Sequence, residues 1–163
     1  ALKHLFERRI IHRDLKADNL FISYDSKGEM IVKLADFGLA LPLPEGKALK
    51  GNEGCYMYQS PERLSNNLYG FKSEVWAVGV MLYEILTCKH MFHSDAIPVL
   101  LIQMEPNSNQ RRMNRLPSDI SVEMQTLMDD LLEFSAKKRM SMSIFFQRVA
   151  SLKREKKYKC FFC

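Results

Sequence analysis

An aspartate, a lysine and an asparagine lie within a span of six residues near the start of the chain. They are Asp14, Lys16 and Asn19, and the polar stretch that carries them is flanked by the apolar runs 10–11 and 20–22. Such a stretch is typical of a short loop between buried segments. It presents a carboxylate, an ammonium and an amide, which can accept a proton, balance negative charge and offer oxygen ligands to a metal ion.

Three short motifs follow one another in a fixed order. His-Arg-Asp stands at 12–14 with Asn19 behind it, Asp-Phe-Gly stands at 36–38, and Ser-Pro-Glu stands at 60–62. This order and spacing resemble the catalytic half of a protein kinase, with H-R-D-x4-N, D-F-G and a variant of A-P-E. With each residue type at roughly one position in twenty, the four fixed residues of the first motif arise by chance only about once in 10⁵ positions.

The resemblance implies a role for each of these polar side chains. Asp14 would accept or orient the proton of the attacking hydroxyl, and Lys16 would lie near the transferring phosphate as a compact positive charge. Asn19 and Asp36 would hold Mg²⁺ through hard oxygen ligands. Phe21 falls where the family places an apolar floor under the adenine, although a plain core residue of a strand is an equally good interpretation. ATP and Mg²⁺ are the implied cofactors.

The residue two positions after Asp14 points to the substrate class. His-Arg-Asp-Leu-Lys at 12–16 resembles serine/threonine kinases, so the implied reaction is transfer of the γ-phosphoryl of ATP to Ser or Thr hydroxyls of a protein substrate. The competing hypothesis is a non-catalytic, kinase-like binding module. Cys55 and Glu74 favour that module because both depart from the family pattern, whereas the intact motif residues favour the enzyme.

These departures have specific expected consequences. Cys55 stands where serine/threonine kinases usually have a threonine that bridges the catalytic aspartate and lysine, and a thiol is a weaker hydrogen-bonding group. Glu74 replaces the aspartate that braces the catalytic loop, and we expect the longer side chain still to reach it. The Ser-Ala pair at 135–136 affects only a turn, and Ser60 for alanine is a mild change.

Four further residues are expected to have structural roles. His12 and Phe37 would stack on each other, so His12 is interpreted as a packing residue and not as an acid or base. Glu62 and Arg139 resemble the family's buried ion pair, which ties the end of the activation segment to the late helices.

The activation segment has unusual chemistry. Arg13 beside the catalytic aspartate is typical of kinases whose activation loop is ordered by phosphorylation, through arginine–phosphate pairing. Residues 37–54 nevertheless contain no Ser, Thr or Tyr. Either Glu45 or Glu53 would then supply a permanent negative charge, or a partner would hold the loop.

The elements that must position these residues are mostly helices, so the predicted fold class is mainly α with a small β-hairpin, like the large lobe of a protein kinase. The small N-terminal lobe is missing from this sequence, and we expect the chain to be a fragment of a longer protein or a truncated gene product. The predicted division is a partial kinase domain at 1–152 and a basic, apolar-ended tail at 153–163.

Apolar spacing and turn residues place the individual elements. We expect loops at 39–59 and 104–117, and caps at Ser60, Ser73, Ser121 and Ser141. A hairpin is predicted from 20–23 and 30–34, around the turn residues 25–28. The predicted helices are 1–9, 60–64, Ser73 to Cys88, 95–104, 122–134 and 142–152.

Composition excludes several classes of function. The chain has 163 residues, 47% of them hydrophobic, and a net charge of +5 without the aromatic-and-basic platform of a nucleic-acid-binding protein. Four cysteines form no disulfide framework in a chain of this length, so we expect an intracellular and cytoplasmic setting. A membrane partner is not expected. The ending Cys-Phe-Phe-Cys at 160–163 has a weak C-a-a-X outline, and zinc binding with His90 and His93 is a lesser alternative.

Overall fold

A long apolar helix, α3 (Phe71–Thr87), lies at the centre of the molecule. In this computed structural model, which describes residues 1–113 and 115–154, α3 carries eleven buried residues. Its apolar side chains run nearly all the way round, so neighbouring elements must cover most of its surface. Val75 and Trp76 have no exposed surface at all. The predicted buried helix is thereby confirmed.

Shorter helices surround α3 in the part of the chain that the structure describes. Buried side chains of the last two of them join those of α3 in one hydrophobic core, an architecture compatible with the predicted class, mainly α with a small hairpin. In chain order these helices are α1 (Leu2–Glu7), α2 (Pro61–Asn66), α4 (Ile97–Met104), α5 (Asn109–Met113), α6 (Val122–Leu131) and α7 (Met142–Arg154).

The described strands form antiparallel pairs. The longest pair is the predicted hairpin, in which β2 (Leu20–Tyr24) pairs with β3 (Met30–Leu34) from Leu20↔Leu34 to Tyr24↔Met30. At its turn, Oδ1 of Asp25 accepts the backbone N–H groups of residues 27 and 29. The other pairs have two residues per strand, β1 (Ile10–Ile11) with β4 (Leu41–Pro42) and β5 (Leu49–Lys50) with β6 (Leu68–Tyr69).

Two predicted loops contain regular structure. The segment 39–59 carries β4, β5 and a 3-10 turn at Tyr56–Tyr58, and the segment 104–117 contains α5. Most of the prolines and glycines that suggested continuous loop lie outside these short elements, whereas Pro42 belongs to β4. Because two-residue strands and a five-residue helix are too short to show a periodic apolar pattern, sequence spacing could not reveal them.

One of the four predicted helix caps is wrong. Ser60 occupies the N-cap position of α2 with Pro61 at the first helical position, although its side chain makes no capping bond. Ser73 lies inside α3, where its hydroxyl donates to Oε1 of Glu62 at 2.9 Å. The caps at Ser121 and Ser141 are confirmed, since their hydroxyls accept the backbone N–H groups of residues 124 and 144.

A buried ion pair joins α2 to the turn before α7. The guanidinium of Arg139, which has no exposed surface, donates to both carboxylate oxygens of Glu62 at 2.8 and 2.9 Å. Burial alone would raise the pKa of the Glu62 carboxyl, but the bonds and charge of Arg139 lower it. This is the structural pair that the sequence predicted.

No helix of the described residues is long and apolar enough to cross a bilayer. The predicted tail lies outside the described residues from position 155 onward, and so do Cys160 and Cys163.

Candidate functional site

The Asp14 carboxylate is held from three directions. Nζ of Lys16 lies 2.8 Å from its Oδ2, and Nδ2 of Asn19 lies 3.3 Å from the same oxygen. The backbone N–H of Cys55 donates to Oδ1 at 3.1 Å. Asn19 also donates to the backbone oxygen of Asp14 at 2.8 Å. Three of the predicted site residues are therefore in direct contact, and Asp14 is only 8% exposed.

The charges of this cluster stabilise one another. Burial on its own would raise the pKa of the Asp14 carboxyl, but the hydrogen bonds from Lys16, from the Cys55 N–H and from Asn19 outweigh it and lower the pKa. The hydrogen bond to Asp14 raises the pKa of Lys16. Both groups are therefore charged at neutral pH, with a carboxylate able to accept a proton beside a fixed ammonium.

Asn19 and Asp36 lie at the open end of the hairpin, one just before its first strand and the other just after its second. The backbone oxygen of Asn19, at the end of a 3-10 turn, accepts the N–H of Ala35 at 2.9 Å, which brings the start of β2 beside the residue before Asp36. Asp36 has the left-handed φ of 59°, and its exposed carboxylate accepts the N–H of Gly38 at 3.3 Å. Asp36 is thus joined to the cluster through backbone, not through its side chain.

Phe21 does not lie in the core. Its side chain is 58% exposed. Because neighbouring residues on a strand face opposite sides, Phe21 points away from the groove that Leu20 and Ile22 line together with α3 and α7. The interpretation of Phe21 as a plain core residue is therefore wrong. Its phenyl ring is an exposed apolar surface on the hairpin.

Glu74 braces the loop at 12–19 from α3, as expected for the longer side chain. Its Oε1 accepts the backbone N–H groups of His12 and Arg13, both at 2.8 Å. Arg13 has a φ of 71°, so the chain turns sharply just before Asp14. Burial raises the pKa of the Glu74 carboxyl to about 7, although the two N–H bonds act in the opposite direction.

His12 packs as predicted. Its ring lies edge-on to Phe37 with 5.0 Å between the centroids, and its Nε2 lies 3.0 Å from the backbone oxygen of Ala35. Burial lowers the pKa of His12 although that backbone contact and nearby carboxylates raise it. His12 therefore joins the loop at 12–19 to the segment that carries Asp36.

Cys55 contacts Asp14 through its backbone. Within the described part of the chain its thiol makes no hydrogen bond, and Lys16 meets Asp14 directly. The preceding Gly54, at φ +90°, lies so close to the site that a Cβ there would come within 2.9 Å of Oδ1 of Asp14.

Sequence reasoning missed Arg63 and Gln59. Arg63 is 4% exposed and donates to the backbone oxygen of Arg13 at 3.1 Å. Gln59 Nε2 lies 3.1 to 3.4 Å from the backbone oxygens of residues 52–54. No local pattern marks Arg63 as buried, because its partners are backbone oxygens of residues distant in sequence.

The donor chemistry fits a magnesium ion. Nδ2 of Asn19 is used by Asp14, which leaves the amide oxygen of Asn19 and the carboxylate of Asp36 as hard ligands of the kind that Mg²⁺ prefers. Within residues 1–113 and 115–154, the candidate site included, no cluster of three or more His, Cys, Asp or Glu could hold a metal ion. For the predicted zinc alternative, His90 and His93 pack edge to face with 5.8 Å between their ring centroids. Cys160 and Cys163 lie outside the described residues.

Comparison with known proteins gives one consistent result. The sequence profile of the protein kinase domain matches residues 1–149. The chain is 37% identical over 146 residues to serine/threonine-protein kinase atg1 of Dictyostelium discoideum, covering 90% of this chain and 21% of that protein. It is 34% identical over 149 residues to human serine/threonine-protein kinase Nek5, covering 91% of this chain and 20% of that protein.

A third relative is similar over a shorter stretch. Serine/threonine-protein kinase zyg-8 of Caenorhabditis elegans is 46% identical over 96 residues, or 58% of this chain and 12% of that protein. The chain spans about a fifth of the length of the first two relatives. Because the profile matches nearly the whole chain, the chain belongs to the protein kinase family.

Proposed function

We propose that the protein carrying this chain is an ATP-dependent serine/threonine protein kinase, and that residues 1–152 supply the large lobe of its catalytic domain. The observation that carries the proposal is the convergence of Lys16 and Asn19 on the buried Asp14 carboxylate, within 3.3 Å. Family membership supports it, as do the printed names of longer relatives. Residues 153–163 would follow the lobe as a separate tail.

Asp14 is the proposed catalytic base. Its lowered pKa keeps it ionised at neutral pH, so it can orient a substrate hydroxyl and accept the proton as the phosphoryl group is transferred. Lys16 holds its positive charge 2.8 Å away and would offset the negative charge of the transferring γ-phosphoryl group. Catalysis of this kind depends on positioning and charge, which a cluster held from three directions provides.

The nucleotide would lie over the open face of the hairpin. Asn19 and Asp36 would hold Mg²⁺, which supplies positive charge against the phosphates when bound. Phe21, 58% exposed, offers an apolar surface under the adenine. We also place the reaction in the cytoplasm, because the free thiols of Cys55 and Cys88 suit a reducing compartment.

Phosphotransfer by the full-length protein tests this proposal. The protein is given γ-labelled ATP and three peptide pools that differ only in carrying Ser, Thr or Tyr. We expect label in the Ser and Thr pools, and a loss of at least about 10²-fold in Asp14→Asn because the proton acceptor is removed. Asp18→Asn removes an exposed carboxylate from the same loop and should keep the rate. An unchanged rate in Asp14→Asn would overturn the proposal.

The 163-residue chain by itself is expected to be inactive, since it contains neither a glycine-rich loop nor the strand lysine of the family.

One observation favours a second candidate, a non-catalytic kinase-like binding module: the Cys55 thiol makes no hydrogen bond to described residues. Binding of Mg-ATP by the full-length protein without transfer to any pool would favour that module.

A further inference from the structure

Glu53 places its carboxylate between two guanidinium groups. Its Oε2 lies 3.1 Å from Nη1 of Arg13 and 3.9 Å from Nη2 of Arg63. The arginine side chains are 10% and 4% exposed, whereas the Glu53 side chain is 45% exposed. A hydrogen bond from its own backbone N–H, together with the two guanidinium charges, lowers the pKa of the Glu53 carboxyl despite its partial burial. A full negative charge therefore lies where two buried positive charges meet.

Hydrogen bonds to backbone oxygens also hold the two arginine side chains in place. Arg63 donates to the backbone oxygens of Arg13 and Glu53, and Arg13 donates to that of Leu39. Burial and the charge of Arg13 both disfavour the charged form of Arg63. Two buried guanidiniums in one place are costly unless an anion accompanies them. Glu45, by contrast, forms no ion pair with any residue that the structure describes.

The two residues that follow Glu53 in the chain lie against the Asp14 carboxylate. A Cβ on the next residue, Gly54, would lie 2.8 Å from the backbone oxygen of Arg13 and 2.9 Å from Oδ1 of Asp14. The residue after it, Cys55, donates its N–H to the same Oδ1 at 3.1 Å. With so little clearance, a shift of Glu53 moves the amide that orients Asp14.

We infer that Glu53 is a positioning residue, a permanent anion that fixes segment 51–55 against Arg13 and Arg63 and thereby orients the Asp14 carboxylate. The inference rests on the proposed kinase function. Residues 37–54 contain no Ser, Thr or Tyr, so this segment has no hydroxyl of its own to carry a phosphate. Glu53 makes the site competent without modification of that segment.

The first test compares Glu53→Gln with Glu45→Gln in phosphatase-treated full-length protein. Both variants lose one negative charge within residues 37–54. In Glu53→Gln we expect kcat to fall about tenfold, since a buried cationic pair loses its partner and Asp14 its orientation. The KM for ATP should stay within about twofold, because positioning and not nucleotide binding is affected. Glu45→Gln should match wild type, and Glu53→Asp should recover most of the rate.

The second test does not depend on activity. Hydrogen–deuterium exchange of the peptide spanning 51–58 reports the Cys55 N–H that binds Asp14. Faster exchange there in Glu53→Gln, with the wild-type pattern in Glu45→Gln, is the expected result. Unchanged protection in Glu53→Gln overturns the inference whatever the rate.

The two measurements separate the inference from the function on which it rests. If wild type transfers no phosphoryl group, the kinase proposal fails, and the exchange comparison still decides whether Glu53 holds the segment. If wild type and Glu53→Gln transfer at equal rates, the kinase proposal stands and the role of Glu53 is wrong.

Discussion

Two carboxylates anchor the segment between Asp36 and α2, and they differ in burial. Glu53 lies within the segment, and Glu62 lies in the first turn of α2. Glu62 meets Arg139, which has no exposed surface, and joins α2 to the late helices. Glu53, 45% exposed, meets Arg13 and Arg63 beside the candidate site. The same pairing of charges therefore serves two purposes: the buried pair stabilises the helical core, and the half-exposed one orients a reactive group.

The strongest way to break this comparison is the same substitution at both positions. Glu62→Gln leaves the Arg139 charge buried without a counter-ion and should lower the free energy of unfolding on the order of 3 kcal/mol. Glu53→Gln should lower it by less, on the order of 1 kcal/mol, because solvent reaches that carboxylate and Arg63 keeps its bonds to backbone oxygens. Urea unfolding of the full-length protein measures both. Equal losses of unfolding free energy in the two variants would contradict the proposed difference between Glu62 and Glu53.

A second prediction concerns a third carboxylate, Glu74, which braces the loop at 12–19 from α3, and the pH dependence of stability that it causes. Burial raises the pKa of Glu74 from 4.5 to about 7. The stability contributed by its protonated form is therefore present below pH 4.5 and lost as pH rises through 7. Glu74→Gln cannot titrate, so wild type should lose on the order of 3 kcal/mol relative to it between about pH 5 and about pH 8.

Unfolding free energies of both proteins across that range provide the measurement. Taking the difference removes the other titrating groups, including His12, whose lowered pKa acts in the opposite direction. A pH-independent difference would show that Glu74 does not titrate in this range.

The last prediction compares two glycines, of which only Gly54 lies beside the site. Gly54 and Gly46 both have positive φ, at +90° and +67°, but a Cβ on Gly46 meets nothing within 4 Å. Alanine should cost about 1 kcal/mol at Gly46 through backbone strain, and more at Gly54, where the Cβ would also lie 2.8 Å from the backbone oxygen of Arg13. Only Gly54→Ala displaces the Asp14 carboxylate, so its kcat should fall at least about tenfold while Gly46→Ala retains its rate. Equal rates would contradict the close approach to Asp14.

Local spacing made much of the candidate site predictable. Asp14, Lys16 and Asn19 are close in sequence, and a short loop brings such residues together whatever packs around it. The pair of Glu62 and Arg139 lies far apart in sequence and was predicted only because the motifs resemble a known family. Its atomic contacts agree with that expectation.

Interactions set by tertiary packing were not predictable. Ser73 has the right type and place for a helix cap, but a buried carboxylate takes its hydroxyl, and the helix begins before it. Arg63 is a long cationic side chain that sequence patterns assign to the surface, yet backbone oxygens from two loops hold it inside. Residues of this kind depend on partners that no window of sequence contains.

The register of the hairpin has a consequence for metal affinity. Asn19 directly precedes the first strand and Asp36 follows the second, so the five paired positions from Leu20↔Leu34 to Tyr24↔Met30 set the separation of the two candidate ligands. A slip of one residue would displace one ligand by about 3.3 Å, more than an octahedral magnesium ion tolerates. The dissociation constant for Mg²⁺ would thus report strand alignment, and a mutation at the distant turn around Asp25 could weaken metal binding without touching a ligand.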